Sequence, residues 1–224
     1  MVMAMIKTPP DWNNIDTVLL DMDGTLLDKY FDDHFWEEFV PAQYALKNGI
    51  SGEEAVEELM PRYRSQEETL DWANLDFWSH QLDLDIPALK KQIQHLIAIH
   101  PNVIEFLERV KAAGKEIFMV TNAHGKTLDL KMERTALAHR FDGIVTSHEI
   151  GMPKEDPAFW DKLQKVVPFD PARTLLGEDT EAVLRSAHGY GIRYLVFVAS
   201  SSSAKSPLDS ESFFSVRDFG EIIP

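Results

Sequence analysis

Short apolar runs alternate with helix-type segments along the second half of this 224-residue chain. From residue 101 onward, the apolar runs end at polar residues, and glycine or proline marks many of the turns between segments. Strands that alternate with helices in this way form a parallel sheet with helices on both faces. We therefore predict an α/β fold with a doubly wound parallel sheet. The predicted strands are residues 17–21, 116–121, 143–146, 174–177 and 193–198.

Residues 28–99 interrupt this alternation with a segment of helical character. Charged and aromatic residues recur there at helical spacing, and no strand is predicted. Ser51 and Glu54 form a capping-box pattern, which predicts the first turn of a helix. We predict a core domain of residues 1–27 and 100–224 with an inserted α-helical domain of residues 28–99.

Two carboxylates, Asp21 and Asp23, follow the first apolar run directly. Residues two apart in an extended segment point to the same side, so both carboxylates converge at the end of a buried strand. Carboxylates this close repel each other unless a cation or a shared proton compensates, and Mg²⁺ is a hard cation that prefers oxygen ligands. The pair also offers one nucleophile and one acid/base group. The alternative is a simple turn, because Asp-Gly is a common turn pair.

Three later segments also place polar residues near strand ends. Thr121 and Asn122 offer a hydroxyl and backbone N–H groups for phosphate oxygens, or else Thr121 caps a turn. Lys154 lies between two prolines and supplies a cation beside the aspartates, or else stays in solvent. Glu178 and Asp179 complete an oxygen cage for Mg²⁺, or else begin the next helix. Ligands of parallel sheets bind at the carboxyl ends of the strands, where these residues are expected to meet.

The chain is acidic, with a formal net charge of −15. This charge argues against nonspecific nucleic-acid binding and against docking on acidic membranes. It also repels a phosphorylated substrate, so a metal and a lysine must supply local positive charge. The absence of cysteine excludes disulfides and thiolate chemistry and is consistent with a cytoplasmic location. No apolar stretch has the length expected of a signal peptide or a membrane span.

Taken together, these motifs resemble those of the haloacid dehalogenase-like hydrolase superfamily, in the same chain order and at similar spacing. The resemblance covers nearly the whole chain and implies a Rossmann-like core with a helical cap. It implies that Asp21 is the nucleophile, which attacks phosphorus and forms an aspartyl-phosphate. It also implies that Asp23 protonates the leaving oxygen and then deprotonates the hydrolytic water. Family members that cleave carbon–halogen bonds lack this second aspartate, so its presence favours phosphoryl transfer.

The same resemblance implies a Mg²⁺ site. Its ligands are the side chain of Asp21, the backbone carbonyl of Asp23 and Asp179. The commonest family form has a further aspartate four residues after Asp179, where this chain has Val183. Glu178 stands directly before Asp179, and this pair resembles the family variant in which two adjacent acids can both bind the metal. Glu178 is the weaker predicted ligand of the two.

The resemblance also implies that two residues act on the phosphoryl group of the substrate. Thr121 donates a hydrogen bond to a phosphoryl oxygen, and Lys154 offsets the charge of the nucleophile and the transferring group. Asn122, which follows Thr121, is predicted to bind the substrate with them.

The substrate prediction rests on further similarity outside the catalytic motifs. Residues 17–28, Phe35-Trp36 and residues 47–49 resemble bacterial purine 5′-nucleotidases that act on GMP and IMP. Aromatic residues at the start of the helical segment are candidates for stacking on a purine, or else form the buried face of a helix. The alternatives are a phosphatase for a sugar phosphate or another small metabolite, a phosphomutase, and a noncatalytic binding module.

Overall fold

The computed structural model describes residues 7–224, and its strands form one parallel six-stranded sheet with the order β3-β2-β1-β4-β5-β6. The strands are β1 (Thr17–Leu20), β2 (Glu116–Thr121), β3 (Gly143–Thr146), β4 (Thr174–Glu178), β5 (Tyr194–Val198) and β6 (Phe214–Val216). This order confirms the doubly wound α/β prediction. The chain first adds β2 and β3 on one side of β1 and then crosses to β4 on the other side. Ligands of doubly wound sheets bind at the point where the strand order reverses in this way.

The first five strands lie within one residue of the predicted bounds at each end. Strand β6 was not predicted. It has only three residues and pairs with one neighbour, β5, at the edge of the sheet. A strand this short carries too few residues for an alternation pattern to be recognised.

Both faces of the sheet are covered, which explains why its strands are continuously apolar. In β1, Val18 and Leu20 pack into one hydrophobic cluster and Leu19 packs into the other. All three side chains are fully buried. The helices that follow β1 in the sheet-forming part are α7 (Val103–Ala112), α8 (Gly125–Thr135), α9 (Ser147–Ile150), α10 (Ala158–Val166) and α11 (Glu181–Tyr190). Helix α11 continues through Gly189 and ends at the left-handed C-cap Gly191, at φ 111°.

The segment between β1 and α7 is helical, as predicted. Its α-helices are α1 (Tyr30–His34), α2 (Val40–Asn48), α3 (Gly52–Arg64), α4 (Leu70–Ala73), α5 (Leu75–Leu82) and α6 (Ile86–Gln92). We call residues 30–96 the helical insert. A π-helical turn, Phe35–Phe39, joins α1 to α2. Pro41 has no N–H for the carbonyl of Glu37, so the regular i to i−4 ladder is interrupted at this point.

Two details of the helical insert bear on the sequence predictions. The capping box is confirmed, since Ser51 accepts from the Glu54 N–H and Glu54 accepts from the Ser51 N–H. Residues 70–82 form two helices, α4 and α5, and not one. Asn74 separates them because its side chain accepts from the N–H groups of Asp76 and Phe77, which begin α5.

The helical insert and the sheet share one hydrophobic cluster, which includes Val18 of β1 and Phe31 and Phe35 of the insert. The division into a core domain and an inserted domain of residues 28–99 therefore stays a prediction. The loop of residues 200–207 also contacts the helical insert. Lys205 Nζ lies 2.7 Å from Asp33 Oδ2, and Ser202 of the same loop is buried.

Candidate active site

The predicted site residues meet at the carboxyl edge of the central strands. Asp21 follows β1 directly, and its N–H donates to the carbonyl of Gly177 in β4. Thr121 is the last residue of β2, and Glu178 is the last residue of β4. Parallel pairing of β1 with both β2 and β4 places these strand ends side by side. The structure therefore brings these three predicted site residues to one edge of the sheet.

Lys154 supplies positive charge at this carboxyl edge of the sheet. Its side chain is buried, with Nζ 2.5 Å from Asp21 Oδ1, 2.7 Å from Glu178 Oε2 and 3.2 Å from the carbonyl oxygen of Val120. The alternative of a solvent-exposed lysine is therefore wrong. Burial of a lone ammonium is costly, and here two carboxylates and a carbonyl compensate it. These partners raise the pKa of Lys154 against the opposing effect of burial.

Asn122 holds the loop that carries Lys154. Its side-chain carbonyl accepts from the Lys154 N–H at 3.0 Å, and its amide donates to the Glu155 carboxylate at 2.9 Å. Both ends of the amide are therefore bonded to this loop. Thr121 Oγ1 accepts from the N–H of Ala123 at 3.0 Å, as expected of a turn cap, and Thr121 also lines the cavity described below. Its hydroxyl hydrogen remains free to donate to a ligand.

Three carboxylates converge beside Lys154. Oxygen atoms of Asp21, Glu178 and Asp179 all lie within 4.8 Å of one another. Burial, together with the neighbouring Glu178 carboxylate, raises the pKa of Asp21 to about 7. Burial also raises the pKa of Glu178 to about 7 and that of Asp179 to about 6. We call these three acids and Lys154 the strand-end cluster.

This cluster fits a hard divalent cation. Carboxylate oxygens are the ligands that Mg²⁺ prefers, and a bound cation removes the repulsion that raises these pKa values. Gly24 leaves room for the Asp179 carboxylate, because a Cβ at position 24 would lie 2.2 Å from Asp179 Oδ2. Gly24 also has φ +85°, which favours glycine.

Glu178 is the least available of the three acids. Oε2 pairs with Lys154, while Oε1 accepts from the N–H groups of Asp179 and Thr180 at 3.1 and 3.2 Å. Both oxygens therefore already have partners in the protein. This geometry favours a role for Glu178 in holding Lys154 over direct metal binding.

Asp23 belongs to a second group of charged residues, whose other members the sequence analysis missed. Lys131 of α8 is buried, and its Nζ lies 2.5 Å from Asp23 Oδ1 and 2.5 Å from Asp32 Oδ2. Lys90 of α6 is also buried and lies 2.6 Å from Asp32 Oδ1. We call Asp23, Lys131, Asp32 and Lys90 the bridging network, because it joins the strand edge to the helical insert.

Charge pairing outweighs burial at Asp32 of the bridging network, but burial outweighs pairing at Asp23. Although burial opposes the shift, the ammonium groups of Lys131 and Lys90 lower the pKa of Asp32. Burial raises the pKa of Asp23 in spite of the nearby Lys131. Thr127 and Lys131, four residues apart on α8, are both polar and both buried in the structure, and nothing local in the sequence marks them as buried. The sequence alone does not tell which face of α8 packs inward.

A cavity of about 350 Å³ opens over both groups. Asp21, Asp23, Thr121, Lys154 and Asp179 line it from the strand edge. The helical insert contributes mainly aromatic and charged side chains to the same cavity. These include Trp36, Tyr63, Arg64, Glu67, Trp72 and Lys90. The volume is within the range of small-molecule sites, so the charged edge can act on a ligand enclosed beneath the insert.

Comparison with known proteins identifies the family. A model of haloacid dehalogenase-like hydrolases matches residues 15–191. GMP/IMP nucleotidase YrfG of Escherichia coli is 39% identical over 213 residues, which cover 95% of this chain and 96% of that protein. Pyrophosphatase PpaX of Bacillus velezensis is 25% identical over 146 residues, or 64% of each chain. The crystal structure of a HAD phosphatase from Thermococcus onnurineus matches with a TM-score of 0.76 and 22% identity, covering 92% of this chain and 95% of that one.

The chain therefore belongs to the haloacid dehalogenase-like hydrolases. The family resemblance predicted from the motifs is confirmed, and the protein is an enzyme. Within residues 7–224, no helix is both long and apolar enough to cross a membrane.

Proposed function

We propose that this enzyme is a Mg²⁺-dependent phosphatase that hydrolyses purine nucleoside 5′-monophosphates through an aspartyl-phosphate on Asp21. The observation that carries the proposal is the strand-end cluster. A buried aspartate is held by a buried lysine, next to two further acids, and all four residues line one cavity. The cytoplasmic location suggested by the cysteine-free composition stays a prediction.

Asp21 is the proposed nucleophile. Lys154 holds its Oδ1, and its Oδ2 has no hydrogen-bond partner among residues 7–224. Asp21 attacks phosphorus, and the ester P–O bond breaks as the P–O bond to Asp21 forms. Asp23 gives a proton to the departing ester oxygen. It then takes a proton from the water that attacks the aspartyl-phosphate, which releases inorganic phosphate and restores Asp21.

The remaining strand-edge residues stabilise charge. Asp21, Asp179 and the backbone carbonyl of Asp23 would hold Mg²⁺, with Glu178 a weaker candidate. When bound, the ion supplies Lewis-acid stabilisation of the charge on the phosphoryl oxygens. Lys154 offsets negative charge at the nucleophile, and Thr121 donates to a phosphoryl oxygen. Asn122 acts in this proposal by holding the loop of Lys154 near the phosphoryl group.

The helical insert supplies the proposed nucleoside pocket. Trp36 and Tyr63 line the cavity with ring centroids 5.4 Å apart, and Trp72 lies beside Tyr63. The buried hydroxyl of Tyr63 has no partner among residues 7–224, so a bound ligand can satisfy it. Aromatic side chains of this kind stack on bases, with about 1–3 kcal/mol per base. Phe31 and Phe35, by contrast, are fully buried and belong to the hydrophobic cluster, which supports the alternative of a buried helix face for those two residues.

Charged residues of the insert support a preference for 6-oxopurines. Guanine and hypoxanthine both present an acceptor at O6 and a donor at N1, whereas adenine presents a donor amine and an acceptor. Arg64 and Glu67 line the cavity and offer a donor and an acceptor of the matching kind. The E. coli relative is a GMP/IMP nucleotidase, which supports this preference.

The test is phosphate release from GMP, IMP, AMP, pyrimidine nucleotides and sugar phosphates, with Mg²⁺ and with chelator. We expect Mg²⁺-dependent turnover that is fastest with GMP and IMP. Asp21→Asn should lose about 10⁴-fold or more in kcat, because it removes the nucleophile. Asp129→Asn is the matched control, since Asp129 is exposed on α8 and does not line this cavity.

Each other outcome changes a different part of the proposal. Faster turnover of sugar phosphates keeps the chemistry and overturns the nucleotide assignment. Transfer of phosphate to a second hydroxyl, dependent on a bisphosphate activator, identifies a phosphomutase. Ligand binding without phosphate release from any substrate identifies a noncatalytic binding module.

A further inference from the structure

An unbroken chain of ion pairs connects Asp23 to the helical insert. Lys131 of α8 bonds Asp23 through Oδ1 and Asp32 through Oδ2. The other oxygen of Asp32, Oδ1, accepts from Lys90 of α6 at 2.6 Å. Lys131 is 1% exposed and Lys90 is 2% exposed. Buried charges are tolerated only when they are paired, so each member of the network depends on its neighbours.

The insert end of this chain is firmly anchored. Lys90 Nζ lies 5.0 Å from the ring centroid of Phe31 and 4.9 Å from that of Phe35. Both rings are fully buried in the hydrophobic cluster. Cation–π contacts and the ion pair together hold Lys90, and Lys90 in turn holds Asp32. The position of Asp32 is therefore set by the insert, while its partner Lys131 belongs to the sheet-forming part.

We propose that Asp32 is a positioning residue for Asp23, acting through Lys131, and that it ties the orientation of the Asp23 carboxylate to the packing of the helical insert. This inference rests on the proposed function, because it concerns the acid/base role of Asp23. Lys131 engages Oδ1 of Asp23, and Oδ2 has no hydrogen-bond partner among residues 7–224. Asp23 lines the cavity, and its side chain is 24% exposed, so the unengaged oxygen can reach a substrate.

The variant Asp32→Asn tests this inference. It keeps the shape of the side chain but removes the negative charge that Lys131 and Lys90 share. Lys131 then loses its second anchor, and the Asp23 carboxylate loses its fixed orientation. We expect kcat/KM for GMP to fall by about 10²-fold, the lower end of what acid–base catalysis contributes.

A series of substituted phenyl phosphates separates positioning from other roles. The logarithm of kcat/KM is plotted against the pKa of the leaving phenol. A poor leaving group needs the proton from Asp23, whereas a good one, such as p-nitrophenolate, departs without it. We expect Asp32→Asn to steepen this plot, with a large loss for poor leaving groups and little loss for good ones.

Asp76→Asn is the matched control. Asp76 is also an aspartate of the helical insert paired with a lysine of α8, since Lys126 Nζ lies 2.5 Å from its Oδ1. This pair is exposed and does not line the cavity of the site. The control should keep both the slope and the rates of wild type.

A charge-balanced variant covers the case in which Asp32→Asn does not fold. Asp32→Leu combined with Lys90→Met removes one anion and one cation, so Lys131 and Asp23 remain as a neutral pair. It should steepen the plot in the same way.

The other outcomes overturn the inference in distinguishable ways. A parallel drop at every leaving group shows a merely structural role for Asp32. A loss confined to GMP, with an unchanged slope, shows that Asp32 contacts the nucleoside instead. If wild type hydrolyses phenyl phosphates but not GMP, the nucleotide assignment fails and the slope still tests the inference. If wild type hydrolyses neither, the proposed phosphatase function fails and the inference fails with it.

Discussion

The strand-end cluster contains Asp21, the bridging network contains Asp23, and the two groups differ in charge balance. The strand-end cluster combines three acids with one lysine, Lys154. The bridging network alternates two acids with two lysines. The first is short of positive charge until a cation binds, whereas the second is neutral within the protein. A cluster that needs a cation is suited to bind one, and a neutral cluster is suited to hold a shape.

The largest expected effect comes from breaking the strand-end cluster at Lys154. Lys154→Met removes the buried cation and leaves Asp21 and Glu178 without their partner. We expect the free energy of unfolding to fall by about 3–5 kcal/mol, as for other buried ion pairs that lose one member. Activity should fall by about 10²–10³-fold, because the transferring group loses a charge partner. Urea unfolding and phosphate release measure the two effects.

Lys165→Met is the control for this variant. Lys165 also pairs with an aspartate, Asp161, at 2.6 Å, but both side chains are exposed and neither lines the cavity of the site. An exposed ion pair of this kind contributes little to the free energy of unfolding. An equal loss in both variants would show that burial does not distinguish Lys154.

The two groups also differ in how far the sequence predicted them. Asp21, Thr121 and Glu178 each stand at the end of an apolar run, so strand periodicity alone places them at one edge. Lys154 joins them from a loop, and only its flanking prolines and the family motif pointed to it. The bridging network has no such local signal, because Asp32 and Lys90 lie in the insert and Lys131 lies on α8. Their meeting depends on how the insert packs on the sheet, which no spacing in the sequence encodes.

The fold shows the same dependence on local signal. Strand bounds in the core were predicted within one residue, because runs of buried apolar residues end sharply at polar ones. Short elements were not, as β6 and the pair α4 and α5 show. The break at Asn74 arises from a side-chain cap, which competes with helix continuation and depends on local geometry.

Magnesium binding is the next test of the charge imbalance. At a Mg²⁺ concentration about 100 times Kd, we expect the free energy of unfolding to rise by about 2.7 kcal/mol. The strand-end acids have raised pKa values, about 7 for Asp21 and Glu178 and about 6 for Asp179. Without metal, the stability that these protonated acids contribute is present at low pH and is lost as the pH rises through about 7. Since Mg²⁺ binds the deprotonated acids, its stabilising effect should grow from about pH 5 to about pH 8.

Thermal unfolding with Mg²⁺ and with chelator, at both pH values, measures this growth. Asp179→Asn should reduce the Mg²⁺ effect, because it removes a proposed ligand. A Mg²⁺ effect that is independent of pH and unchanged in Asp179→Asn would place the ion elsewhere.

Gly24→Ala sharpens the comparison by filling the space beside Asp179. The new Cβ would meet Asp179 Oδ2 at 2.2 Å, so that carboxylate must move. We expect a cost of about 1–3 kcal/mol from overpacking, in addition to backbone strain, and weaker Mg²⁺ binding. Gly49→Ala is the control, since Gly49 also has positive φ, +68°, but open space around it. Equal Mg²⁺ affinity in the two variants, measured by titration calorimetry, would contradict the proposed role of Asp179.

The smallest expected effect comes from removing one acid and one lysine of the bridging network together. Asp32→Leu alone leaves two buried lysines with one acid, and Lys90→Met alone leaves two acids with one lysine. Each single variant should therefore be clearly destabilised. The double variant keeps Lys131 paired with Asp23 and should lie within about 1 kcal/mol of wild type, because a buried pair exchanged for apolar side chains is often neutral. Urea unfolding of all four proteins gives the coupling energy. Additive losses would show that Asp32 and Lys90 do not stabilise each other, and the bridging network would then end at Lys131.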